Sequence, residues 1–172
     1  GIKALETFRQ LKYVSANRRG PTNYEERQDD FYYDDIGVNG ERLINSLAKK
    51  SPEFIEKLQV ALSYILSGAT INVGYGYSCV LPIIFQLLTA NEGCSVIIEN
   101  PEAHLYPGAQ SRLVEWMVAV ATENQLQFII ETHSDHIING LRIAIKDKKI
   151  DRSDVSIQFF DRKGAMYSPD IL

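Results

Sequence analysis

Ser95-Val96-Ile97-Ile98-Glu99-Asn100-Pro101-Glu102-Ala103-His104-Leu105-Tyr106-Pro107 decides how the rest of the chain reads. Three apolar, β-favouring residues run into a carboxylate, a proline breaks the chain, and a second carboxylate follows. A run apolar on both faces is the pattern of a buried strand in a parallel sheet covered by helices on both sides. Pro101 has no N–H for a ladder and biases Asn100 away from helix, so the strand ends near Glu99. Ligands of open α/β sheets collect beyond the carboxyl ends of such strands. Two acids brought together there are costly unless a metal or a proton holds them. The pair suits a magnesium nucleotide and an attacking water.

Outward from that stretch, the pattern is strand, helix, strand, helix, strand. Residues 78–90 read as a helix apolar almost all round, with Pro82 in its first turn, where a missing donor does no harm. Residues 107–122 form an amphipathic helix with Leu113, Trp116, Met117 and Val120 inward. Residues 126–130 are the next buried strand, Ser134 caps a helix running to about Lys146, and residues 155–160 are a third strand. Short links between such elements predict an α/β fold built on a parallel sheet.

Upstream, Leu5, Phe8 and Leu11 keep a helical spacing, and residues 12–15 form a short strand. Residues 17–33 make a polar loop whose Arg18-Arg19 pair either reaches phosphate or is simply solvated. Gly37 to Gly40 is a turn before a short helix over residues 41–49. Ser51 caps a longer helix with Pro52 at its first position. Its apolar face is Phe54, Ile55, Leu58, Ala61, Leu62, Ile65 and Leu66, and Gly68 ends it.

The chain's 172 residues suffice for one domain with a real core. With 22 acidic against 18 basic side chains, the formal net charge of −4 argues against a broad basic face for nucleic acid. Cys79 and Cys94 lack CxxC spacing and read as buried, reduced thiols. No apolar run reaches membrane-spanning length, which predicts a cytoplasmic protein without a membrane partner.

Residues 96–107 resemble the Walker B and D-loop segment of ABC-type, AAA-like ATPases. The likeness is to their SMC-, RecF- and OLD-like branch, which reads apolar-apolar-Glu-Asn/Gln-Pro-Glu-x-His-Leu-His-Pro. Two further blocks agree in order and spacing. Asn72-Val73-Gly74-Tyr75-Gly76-Tyr77-Ser78 sits where that family has its divergent signature loop. Phe128-Ile129-Ile130-Glu131-Thr132-His133-Ser134 is similar to its switch-histidine strand. The resemblance implies the Walker-B half of an ABC-type P-loop NTPase domain, divided as a helical arm with connecting segment (residues 1–75) and a C-terminal core lobe (residues 76–172).

It also implies roles. Glu99 would hold Mg²⁺ through water, and Glu102 would orient or deprotonate the water that attacks ATP. His133 would meet the γ-phosphate or that water. Gly74, Gly76 and Ser78 would serve the nucleotide of a second subunit across a homodimer. DNA, an effector protein and a role in antiviral defence belong to the same implication. Each role has a plainer alternative: Glu102 as a helix cap, Ser78 as an N-cap after a tight turn, His133 as a strand-end histidine paired with Glu131.

Two other functions compete. One is a nucleotide-gated scaffold that assembles a partner with little hydrolysis. The other is a metal-dependent hydrolase built from Glu99, Glu102, His104, His133 and His136. No Gly-x-x-x-x-Gly-Lys-Ser/Thr occurs in the sequence, so the loop that cradles the β- and γ-phosphates is absent from it. The expectation is a chain that alone neither binds ATP tightly nor turns it over.

Overall fold

A computed structural model of the chain describes residues 11–18, 36–67, 73–160 and 166–167. The quoted stretch is the middle strand, β2 (Ser95–Glu99), of a three-stranded sheet. It is flanked by β1 (Leu11–Val14) and β3 (Gln127–Glu131), both parallel to it. In register, Ile97 lies between Tyr13 and Ile129, and Glu99 lies level with Glu131. Parallel neighbours need a crossover, and between β2 and β3 it is the helix Pro107–Asn124. The α/β class and the parallel sheet are as expected.

The expectation of strands buried on both faces is corrected. Along β2 only Val96 and Ile98 are fully buried, while Ser95, Ile97 and Glu99 are half-covered. On β3, Ile129 is 55% and Ile130 36% exposed. There are two reasons: the main core covers only the face of Val14, Val96 and Ile98, opposite Ile129, and Ile130, which shares that face by register, stands on a strand at the edge of the sheet. Among the described residues, no strand pairs with the outer edge of β3.

That core is filled by four helices. The first is short, α1 (Leu43–Leu47), and follows a turn in which Gly40 N–H donates to Gly37 O at 3.3 Å. Then comes α2 (Pro52–Leu66), whose Ser51 cap accepts from the Phe54 amide at 3.3 Å. It buries Leu58, Ala61, Leu62 and Ile65, the face its spacing predicts. Gly68, expected to end it, lies outside the described residues.

The third, α3 (Val73–Leu88), begins five residues before the expected start at Ser78. Pro82 therefore sits in the helix interior, not its first turn, and removes one i→i−4 bond there. The position is tolerable because the ring is packed. Gly40, at φ 79°, passes so close that an added Cβ would be 3.1 Å from Pro82 Cγ. Val80, Ile83, Ile84, Phe85 and Leu87 of α3 are fully or almost fully buried. The helices α1, α2 and α3 share one core with the sheet.

The fourth, α4 (Pro107–Asn124), has two buried faces. Leu113, Met117 and Val120 point into the main core, whereas Val114 and Val118 join a second cluster with Ile137 and Ala144. The latter two belong to α5 (Asp135–Lys146), capped by Ser134 as expected. The α4–α5 crossing is close: a Cβ on Gly140 would be 3.1 Å from Val114 Cβ and 3.4 Å from the Ser111 backbone. Gly140→Leu is therefore expected to force the helices apart and destabilise the protein by about 1–3 kcal/mol. Urea unfolding checks this, and an unchanged midpoint would contradict the packing.

The third expected strand is also corrected. Only β4 (Phe159–Phe160) forms, and it pairs antiparallel with β5 (Met166–Tyr167) in a separate two-stranded sheet. The short strand at the start of the chain takes the third place in the parallel sheet instead.

Candidate functional site

At the carboxyl end of the sheet the three strands deliver Ser15 to Arg18, Glu99 and Glu131 side by side. The ladder runs one residue past β2, where Asn100 N–H donates to Glu131 O at 2.9 Å. Asn100 then adopts φ 43°, a left-handed conformation that Asn tolerates better than most residues. Pro101 is buried, and Ala103 N–H donates to Asn100 O at 3.0 Å. This turn carries Glu102 sideways onto the end of β3.

There the Glu102 carboxylate is held at both oxygens. Oε2 accepts from the Thr132 hydroxyl and Oε1 from the His133 amide, each at 2.9 Å. The helix-cap alternative for Glu102 is overturned. The helix after the turn is capped by Tyr106, without a side-chain hydrogen bond, and Glu102 lies upstream of it. Thr132 also accepts from the Ser134 amide at 3.1 Å, so the loop after β3 closes around the carboxylate.

Glu99 turns the other way, towards β1. Its Oε2 accepts from the Ala16 amide at 3.1 Å, and the Tyr13 hydroxyl donates to the same carboxylate. These two hydrogen bonds, Tyr13 first, and the nearby Arg18 charge hold Glu99 below the usual carboxylate range. An ionised carboxylate with lone pairs left after two protein donors is a suitable outer ligand for Mg²⁺. Magnesium keeps most of its waters and takes few protein oxygens, so the donor set fits that ion.

The remaining expected residues are less tightly gathered. The His133 backbone is at Glu102, but its imidazole is turned away. Nε2 is 2.8 Å from Glu131 Oε1, and the side chain is 80% exposed. Gly74, Gly76 and Ser78 lie in the first turns of α3 rather than in a loop before a helix cap. The neighbouring Cys79, a buried free thiol whose pKa burial raises, is within electrostatic reach of Arg18 at the same end of the sheet. The five-residue metal constellation does not assemble. Among the described residues no group of three His, Cys, Asp or Glu side chains converges to hold an ion.

Three residues were missed or misread from sequence: Tyr13, Thr132 and Arg18. Tyr13 and Thr132 act through partners far along the chain, on Glu99 and Glu102, and nothing local marks them. Arg18 is neither solvated nor free to reach phosphate. It is 7% exposed and donates to backbone carbonyls. Arg19 lies outside the described residues. Ser134 is a cap: its Oγ accepts from the His136 amide at 3.1 Å and donates to Gln110, whose Nε2 donates to Leu105 O at 2.8 Å.

Residues 67–138 match the family model of the AAA ATPase domain. The match spans α3, β2, the Glu102 turn, α4 and β3, and supports an AAA-like ATPase that binds and hydrolyses ATP. No curated protein matches the chain. No helix among the described residues is long and apolar enough to cross a membrane.

Proposed function

We propose that this chain supplies the water-activating side of an ATP-hydrolysing site, with Glu102 as the general base and Glu99 as the acid that holds Mg²⁺ through water. The observation that carries the reading is the seat of Glu102. Its carboxylate is fixed at the junction of two strand ends of an α/β sheet, inside a segment similar to an AAA ATPase domain.

Both donors on Glu102 are neutral, so they orient the carboxylate while leaving lone pairs on each oxygen. A water held against those lone pairs gives its proton to Glu102 as its oxygen attacks the γ-phosphorus, and the bond to ADP breaks. A positioned base of this kind contributes about 10²–10⁴-fold in rate. Glu99, held by Tyr13 and Ala16, would hold Mg²⁺ through water, and that ion would supply positive charge against the charge that develops on the phosphate. His133 reaches the γ-phosphate by releasing Glu131, a rotation that its exposure permits.

The sequence holds no P-loop, so the phosphate cradle comes from outside these 172 residues. In this reading the site is completed in a homodimer, with Ser78, Gly74 and Gly76 of one subunit facing the nucleotide of the other. ATP binding closes the dimer and hydrolysis releases it. The branch is the SMC-, RecF- and OLD-like one, supported by the Glu-Asn-Pro-Glu and Glu-Thr-His-Ser blocks. Its output would be a DNA-related or antiviral task.

A second reading is favoured by the same seat. Both Glu102 oxygens are already engaged, which suits a slow, nucleotide-gated scaffold that recruits an effector. Glu102→Gln in the full-length protein separates the two. An engine loses turnover and output together, whereas a scaffold keeps its output and stays assembled. Unchanged turnover would refute the catalytic role.

A further inference from the structure

Arg18 takes no part in the steps above, yet it is the most deeply buried cation of the site. It follows β1 by four residues and is 7% exposed. Nη1 donates to Ser15 O at 3.0 Å and to Glu99 O at 2.8 Å, and Nη2 donates to Asn100 O at 2.6 Å. Among the described residues Nε is buried without an acceptor. A guanidinium is expensive to bury, and its ordinary partner is a carboxylate. Here its hydrogen bonds to described residues all end on main-chain carbonyls.

Two of those carbonyls are consecutive, and they flank the left-handed Asn100. A rigid planar fork that takes both fixes the peptide plane between Glu99 and Asn100. The N–H of Asn100 is fixed separately by Glu131 O at 2.9 Å. The connection between the two acids is therefore gripped at its carbonyls from the β1 side and at its amide from the β3 side. The left-handed residue sets the direction in which Pro101 and Glu102 leave the strand. A small rotation at Asn100 would swing Glu102 away from Thr132 and His133 while Glu99 stayed on Tyr13 and Ala16.

We infer that Arg18 is a positioning residue that sets the separation and aim of the Glu99 and Glu102 carboxylates by clamping the carbonyls of Glu99 and Asn100. This rests on the catalytic reading of those two acids. The guanidinium lies within electrostatic reach of both, so it also offsets the repulsion between them. Ser15 O, the third carbonyl, ties the clamp to the end of β1 and so fixes the turn relative to Tyr13 and Ala16, which hold the Glu99 carboxylate.

The test is Arg18→Lys in the full-length protein. Lysine keeps the charge but presents a single nitrogen, which cannot span two consecutive carbonyls in the plane of a fork. With the carboxylates misplaced by a fraction of an ångström to an ångström, kcat is expected to fall about 10- to 100-fold. KM for ATP should stay within about twofold, because uniform binding is untouched. The gain in ATP affinity on adding Mg²⁺, read by calorimetry, should be kept, because Tyr13 and Ala16 still hold the Glu99 carboxylate.

A merely structural arginine would lower the melting temperature and leave kcat unchanged. That result overturns the inference, as would failure of both Arg18→Lys and Arg18→Gln to fold. Glu102→Gln, measured in parallel, separates the two levels. If it abolishes turnover while Arg18→Lys leaves kcat unchanged, only the clamp falls. If wild-type turnover does not depend on Glu102, both fall.

Discussion

Glu102→Gln in the full-length protein is expected to lower ATP turnover about 10²–10⁴-fold while ATP binding persists. The substitution is unusually clean in this seat. The Gln carbonyl oxygen still accepts from the His133 amide, and its NH₂ can donate to the Thr132 hydroxyl, which has one lone pair left beside that taken by the Ser134 amide. The turn is kept and only the basic oxygen is lost. Removal of one negative charge near the phosphates leaves binding intact or tightens it. Glu102→Ala is a poorer probe, since it strips an acceptor from two donors at a cost of about 1 kcal/mol and blurs catalysis with folding. Single-turnover hydrolysis beside equilibrium ATP binding decides the matter. A Gln variant with wild-type turnover would reduce Glu102 to a tie between the ends of β2 and β3.

Phe85→Ala should show the largest loss of stability, about 3–5 kcal/mol. Phe85 is 0% exposed on α3 and meets Phe54 of α2 edge to face, with centroids 5.4 Å apart. Lys50 Nζ lies 5.0 Å and 5.3 Å from the two ring centroids, which closes the pair from solvent. Alanine leaves a cavity that neighbouring Ile83 and Ile84, themselves fully buried, are not free to fill. Urea unfolding should show a lower midpoint with an unchanged slope. A loss under about 1 kcal/mol would mean that α2 and α3 do not share this core.

How far the sequence discloses this arrangement depends on how local each cause is. The end of β2 is legible because Pro101 acts on its immediate neighbours. The start of α2 is legible because Ser51, Pro52 and Glu53 are all cap signals within three positions. The start of α3 is not, since two glycines and a later proline read as punctuation and tertiary packing overrides them. The burial of β3 is misjudged because an apolar run says neither which of its faces is covered nor that the strand lies at the edge of the sheet. The seat of Glu102 is half legible: the acid is marked by its motif, but Thr132 and the His133 amide lie thirty and thirty-one positions away. Arg18 is the hardest case. A buried arginine held by carbonyls leaves the same sequence trace as one in a solvated loop.

The open side of β3 bears on how the protein behaves at the bench. Ile129 and Ile130 stand on a strand whose outer edge pairs with nothing among the described residues. An unpaired edge with apolar side chains is a template for another strand, and a net charge of −4 is a weak deterrent to self-association. These 172 residues expressed alone should drift towards dimers and larger species as concentration rises. Their melting temperature would then climb with protein concentration. A melting temperature that is flat across a wide dilution series would show that the edge is already covered.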